Sequence, residues 1–352
     1  MRWEPDVRGL GEEDHSLKQI VSDAKQLEWI AYPVRKEWTQ SSWLVGPERC
    51  LDIVRNIIDV SPYAASAREG INTRGANGVY FVDVLSANHL VLVRNRADDG
   101  DDDRDVPVVE RRVESEHVFP LLRGRDVGKW FASPSSAIVL PHDPDHPVEP
   151  IPFNNLGNKT QDFLLEFKEK LRRRKKFRNF DPSGKNWHGL YSVLTATFAP
   201  CKVVWKEMAS GSVASVVSAQ SIKPGAAEKV VIPDHKLMII PAATMKEAHF
   251  IAAILNSAVA RYIVLSSAIS TGISTHILDK LPIPRFDQNN PLHRDLANLS
   301  AECHRLIARD QASDLKQKEE SIDATVGKLW NISRNQLQTI LETVEQVHPE
   351  LD

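Results

Sequence analysis

Apolar positions along the chain change their period several times, and each change marks an element. Leu17, Ile20, Val21, Ala24, Leu27 and Ile30 recur at helical spacing and predict a short amphipathic helix near the start. Residues 43–58 read as a strand or turn followed by a helix, with Ile53, Val54, Ile57 and Ile58 as its apolar face and Pro62 beyond it as a stop. Over 64–93 the pattern turns to glycine-punctuated β, with strands expected at 79–84 and 89–94. Further strands are expected at 108–118 and 137–141. A helix over 160–177 carries Phe163, Leu164, Phe167 and Leu171 on one face. Strands at 187–191, 201–206, 213–217 and 230–240 come next, and then a second, largely buried helix over 248–265. From Leu292 onward the chain is helical again, with Leu296, Leu299, Ile307, Leu315, Ile322, Val326 and Leu329 as a discontinuous apolar stripe. The sum is an α+β fold: a helical N-terminal remnant over 1–44, a mixed β-rich domain with packed helices over 45–290, and a helical C-terminal arm over 291–352.

Composition narrows the class. At 352 residues the length suits roughly two to three domains. Hydrophobic residues make up 42% and charged ones 26%, enough for a substantial core. The net charge of -3 gives no global sign of a polyanionic partner, so any nucleic-acid surface must come from segregated cations. Cys50, Cys201 and Cys303 lie far apart and form no Cys-x-x-Cys pair, which argues against a zinc ribbon or disulfide framework and fits a reducing cytoplasm. No apolar run approaches the ~18 residues a membrane span needs, and the first residues have no apolar signal core. A cytoplasmic protein without a membrane partner is the expectation.

Catalytic motifs are missing. A methyltransferase that modifies adenine needs a glycine-rich turn for S-adenosylmethionine and an Asn/Asp-Pro-Pro-Tyr/Phe loop for the flipped base. The nearest fragments, Asn290-Pro291-Leu292 and Ser61-Pro62-Tyr63, lack the second proline. Dinucleotide, phosphate-loop, serine-hydrolase and zinc-protease signatures are also missing from the sequence. A magnesium nuclease has a loose match in Pro5-Asp6 with Asp23-Ala24-Lys25, but that pattern normally puts its second half on a strand, whereas 18–29 looks helical. The segment His142-Asp-Pro-Asp-His-Pro147 invites a metal, yet no second ligand cluster lies near it in sequence. Asp98-Asp-Gly-Asp-Asp-Asp-Arg-Asp105 is too densely acidic to pack; it reads as a solvated tip placed away from any DNA.

Several segments together resemble a known family. Ala67-Arg-Glu-Gly-Ile-Asn-Thr-Arg-Gly-Ala-Asn-Gly-Val-Tyr-Phe81 and Phe119-Pro-Leu-Leu-Arg-Gly-Arg-Asp-Val-Gly-Lys-Trp130 are similar to the TaqI-like C-terminal specificity domain of adenine-specific DNA methyltransferases. So are Ala199-Pro-Cys-Lys-Val-Val-Trp-Lys-Glu-Met208, Val231-Ile-Pro-Asp-His-Lys-Leu-Met238, the helix 247–257, and Ile273-Ser-Thr-His-Ile-Leu278 with Leu281-Pro-Ile-Pro284. The likeness spans roughly 45–290, and its strength lies in the order of the pieces. It implies a target-recognition domain for double-stranded DNA that acts with a separate catalytic subunit of a methyltransferase, restriction or phage-defence system. S-adenosylmethionine would belong to that partner, and no cofactor or catalytic residue is expected here. A free-standing nuclease, a divergent methyltransferase and a protein-interaction scaffold remain the alternatives.

Such a domain needs guanidinium or amide groups for base edges and cations for phosphates. Arg123 and Arg125 flank Gly124, so both are expected to project from a tight turn toward phosphate or guanine, unless Arg125 pairs with Asp126 or another acid to fix the loop. Lys129 follows as a weaker candidate. Arg172, Arg173, Arg174, Lys175 and Lys176 form the densest basic run; about 100° of turn per helical residue lets some three meet one backbone, the alternative being a solvated helix end. Lys202 and Lys206 alternate on the face of Val204 and are expected to line the cleft. Thr271, Ser274, Thr275 and His276 offer phosphate or base hydrogen bonds, or equally a helix cap. Trp130, Trp187 and Trp205 read as core.

Overall fold

A computed structural model describes residues 2–4, 25–27, 29–34, 42–99, 106–174, 181, 183–207, 213–267 and 272–347. The fold is α+β. A six-stranded sheet runs in the order Ile232–Pro233, Val118–Leu122, Ser136–Val139, Phe81–Ala87, Leu90–Asn95, Glu110–Glu114, antiparallel except for its first pair. A four-stranded antiparallel sheet runs Ala214–Val217, Lys202–Lys206, Leu237–Pro241, Arg68–Glu69. The chain passes from one sheet to the other through the short turn 234–236.

Nine α-helices lie among the described residues: α1 Glu48–Arg55, α2 Asn77–Tyr80, α3 Asn158–Leu165, α4 Lys168–Arg172, α5 Met245–Leu255, α6 Ala258–Ser267, α7 Pro291–Ala308, α8 Leu315–Leu329 and α9 Arg334–Val347. The six-stranded sheet, with Leu156, Phe163, Phe167, Leu171 and Trp187, encloses one core. A second core joins Leu44–Ala67 side chains, the four-stranded sheet and helices α5 to α9. Each large apolar side chain buried there contributes about 1.5–3 kcal/mol, so the helical tail is tied to the sheet by packing.

Local chemistry explains where elements depart from the periodic pattern. The helix expected over 248–265 is two, α5 and α6, bent by 60°. At the bend the Asn256 amide donates to Ala214 O and accepts from Ala214 N, both at 2.8 Å, so a side chain pairs with a strand as backbone would. The helix expected over 160–177 breaks after Leu165 and ends at Arg172, while keeping Phe163, Leu164, Phe167 and Leu171 buried. The strand expected at 79–84 starts at Phe81, because 77–80 form a buried helical turn whose Tyr80 hydroxyl donates to His188 O. Of 187–191 only Tyr191 pairs in β fashion, with Asn72. The helix expected over 17–30 is contradicted at its end, where Lys25–Leu27 is extended and Ile30 opens the strand Ile30–Pro33. Its earlier part lies outside the described residues, as does the nuclease pattern at Asp6 and Asp23. No single helix among the described residues is long and apolar enough to cross a membrane.

Candidate nucleic-acid interface

The turn 234–236 and the residues on either side of it form a hub that joins three other segments, and a fourth through one of these. Asp234 N donates to Leu122 O, Ile71 N to Pro233 O and Gly70 N to Leu237 O, each at 2.9 Å. Glu207 N donates to Lys236 O at 3.0 Å, and Glu207 O accepts from Ile273 N. Trp205 Nε1 adds a bond to Ile273 O at 2.9 Å. Gly70 is required here, since a Cβ would stand 2.2 Å from Asp234 O. Segments far apart in sequence are therefore bonded together here.

Around this hub the anticipated cations have different fates. Arg123, only 16% exposed, donates from Nη1 to Asp99 at 2.7 Å, and its Nε lies 3.9 Å from Asp234. Its guanidinium also stands 5.1 Å from the Phe81 ring centre. The expectation of a projecting Arg123 is corrected: two carboxylates hold it inward. Gly124 does not open the way either, because a Cβ there would meet only Lys236 Cβ, at 3.6 Å. The acidic run is corrected with it. Its Asp99 sits between Arg96 (2.5 Å) and Arg123 rather than on a remote tip, and 100–105 lie outside the described residues. Burial alone would raise the Asp99 carboxyl, but the two arginines outweigh it and hold it below the usual carboxylate range. Arg125 is exposed, with no ion pair among the described residues.

Lys129 is not a free cation: it reaches Glu319 of α8 at 2.7 Å, and Trp130 Nε1 donates to the same oxygen at 2.6 Å. Arg172 and Arg173 are exposed at the end of α4. Arg174 turns inward, 8% exposed, and donates to Leu171 O, Thr73 O, Trp187 O and Gly189 O at 2.7–3.1 Å. It clamps loops instead of meeting phosphate. Lys175, Lys176 and Thr271 lie outside the described residues. Lys202 is 1% exposed and donates to Thr197 O and Val231 O at 2.7 and 2.8 Å. Its alternation with Val204 holds, but that face is core, and burial pushes the amine down to about 7. Lys206, half-buried, ends the strand beside the hub. Ser274 precedes the 3-10 turn Thr275–Asp279 without a side-chain cap, and His276 is 86% exposed at 3.2 Å from Asp279.

His142 is a bracing residue. Its Nε2 accepts from Leu190 N at 3.0 Å, which leaves Nδ1 to donate to Pro147 O at 2.8 Å; burial lowers it to about 4. Among the described residues no group of His, Cys, Asp and Glu is arranged to hold a metal ion. Trp130, Trp187 and Trp205 are buried as read from the sequence.

Sequence reasoning passed over Lys236, exposed on the hub, and the loop 72–75. In that loop Arg74 has φ of 56°, Gly75 86°, and the Arg74 guanidinium stands 4.0 Å from the Tyr191 ring centre. The flanking glycines Gly70 and Gly75 signalled an unusual backbone, but nothing local pointed to Tyr191. Burial raises the carboxyls of Glu69 and Asp234 beside them, the latter to about 6.

No protein-family model matches the chain. No curated protein matches it significantly. Among solved structures it is similar to the Type IIL restriction-modification enzyme MmeI in complex with DNA, with a TM-score of 0.48 and 9% identity over 80% of this chain and 35% of that one. It is similar also to the type IIG restriction endonuclease BpuSI, with a TM-score of 0.38 and 12% identity over 80% of this chain and 32% of that one. The chain thus spans about a third of the length of either enzyme.

Proposed function

We propose that the chain is a DNA target-recognition module that positions a separate catalytic subunit, of a methyltransferase or restriction system that acts on adenine-containing sites, on duplex DNA. One observation carries this reading. The segments 67–81, 119–130 and 199–208, which resemble a specificity domain, are drawn together by backbone bonds around another, 231–238, and 273–284 joins them through Trp205 and Glu207. The helix 247–257 packs beneath the same sheet. Exposed or half-buried Arg125, Lys206 and Lys236 lie on these segments, and Arg172 and Arg173 flank the clamp on loop 72–75. Loops bonded together, with cations around them, suit a duplex whose phosphates position the protein while base edges are read between them.

Retention of a random duplex pool by the full chain, followed by a salt titration, tests the reading. We expect retention at low salt and a linear fall of log affinity with log salt, about 0.9 per phosphate contacted. Failure to retain any duplex at low salt overturns it.

A further inference from the structure

We propose that Glu319, on the helical arm, is a positioning residue for DNA recognition: it pins the tip of the hairpin 126–133 and so sets the turn from which Arg125 meets a backbone phosphate. The inference rests on the DNA-recognition reading above. The hairpin follows Arg125, which is exposed and has no ion pair among the described residues. Val127–Gly128 pairs with Phe131–Ala132, and Ser133 N donates to Asp126 O at 3.1 Å, which extends the pairing by one bond. At the base the Asp126 carboxylate accepts from Arg123 N at 2.9 Å and from Ser135 Oγ at 2.6 Å, closing the turn that carries Arg125. At the tip the two turn residues are Lys129 and Trp130. Trp130 has φ of 64°, a region that such turns normally fill with glycine or asparagine.

A tryptophan keeps such a backbone only where its surroundings over-determine it, and here they come largely from the arm. Trp130 Nε1 and Lys129 Nζ both donate to Glu319 Oε1, at 2.6 and 2.7 Å. The indole, 1% exposed, stands edge-on to the His304 ring of α7 at 5.5 Å between centres. Trp130 N donates to Ala214 O at 3.3 Å, and on the same edge strand Val216 N donates to His304 Nε2 at 3.0 Å. The tip is therefore shaped by the arm rather than by its own sequence. α8 does not need this contact to stay docked. One helical turn beyond Glu319, Asp323 accepts from Ala258 N at 2.6 Å at the start of α6, and Ile322 and Val326 are buried. Removing Glu319 should release the hairpin and leave the arm in place.

The test is a double-mutant cycle on the full chain: wild type, R125A, E319A and R125A/E319A, with E319Q beside them. Each is titrated with salt on a duplex that the wild type selects from a random pool. On charge alone, loss of a carboxylate near DNA strengthens binding; a positioning role predicts the opposite sign. R125A should lower the salt slope by about 1. E319A should lower it by a similar amount, and the double variant by no more than either alone, because one contact is lost once. E319Q loses the same charge as E319A but still accepts from Trp130, so it should bind more tightly than E319A. If E319A fails to fold, Lys129→Met replaces it in the cycle, with the same non-additive outcome expected. Binding by E319A as tight as wild type, equal binding by E319A and E319Q, additive effects in the cycle, or a wild-type salt slope in R125A each overturns the inference and leaves the DNA-recognition reading intact. Failure of wild type to bind any duplex overturns both.

Discussion

Two arginine loops lie close to the same hub, and they have opposite characters. Arg123 stands between Asp99 and Asp234 and ties the six-stranded sheet to the turn 234–236, so its charge is spent inside the protein. Arg74 is held over the Tyr191 ring and by backbone geometry, and its charge acts on the Glu69 carboxyl nearby. Both sit beside a glycine, Arg74 before Gly75 and Arg123 before Gly124. The difference teaches that how firmly an arginine is tied into the fold is set by the group opposite it in space. A carboxylate in direct contact ties the side chain to one partner; a ring chiefly fixes its direction.

The largest effect should come from the clamp beneath the Arg74 loop. Arg174→Ala removes donors from buried carbonyls of Thr73, Trp187 and Gly189 and empties a large side-chain volume, at a cost of about 3–5 kcal/mol. Denaturant unfolding followed by intrinsic tryptophan fluorescence should show the midpoint falling strongly; an unchanged midpoint would mean the loop is held by other means. Next in size is Arg123→Ala, which leaves the buried Asp234 without its guanidinium and Asp99 with Arg96 alone, and should cost about 2–4 kcal/mol. Arg74→Ala gives up a half-buried cation–ring contact worth about 0.5–1 kcal/mol. Equal losses from the two variants in the same unfolding experiment would erase the contrast between the two arginines.

Acid sharpens the comparison further. Burial lifts the Asp234 carboxyl to about 6, above the ~3.9 of an unfolded chain. Between those values the folded protein keeps a proton that the unfolded chain has released. Stability from this group is therefore present below about pH 4 and is lost as pH rises through 6. Asp234→Asn should abolish that decline, a gain relative to wild type of about 1–3 kcal/mol at neutral pH. Stability curves for the two proteins that remain parallel from pH 4 to 7 would show that Arg123 neutralises Asp234 fully.

Much of the architecture was legible. Period alone placed the strands at 90–95, 202–206 and 214–217 and the helical tail, because each buries a face that its own spacing declares. The broken helices were hidden, since the bend at Asn256 is made by a bond to Ala214 on a distant strand. Lys202 misled for a related reason. Alternation fixed which side of the strand it shares with Val204, but not that this side is covered, and a lysine there signals exposure. The basic run concealed an inward Arg174 among outward neighbours, and Asp99 found Arg123 only through the tertiary fold.

Arg125 supplies the smallest and most discriminating prediction. It shares its turn with Arg123, separated by Gly124 alone, yet it is exposed and carries no ion pair among the described residues. Removing it should therefore change stability by no more than about 0.5 kcal/mol, as for most surface positions. If it meets a phosphate, Arg125→Ala weakens binding to every duplex by a similar factor and lowers the salt slope by about 1, leaving the preferred sequence alone. A variant with the wild-type salt slope would take Arg125 off the DNA path. A variant with an altered preferred base would make it a reader of bases rather than a phosphate contact.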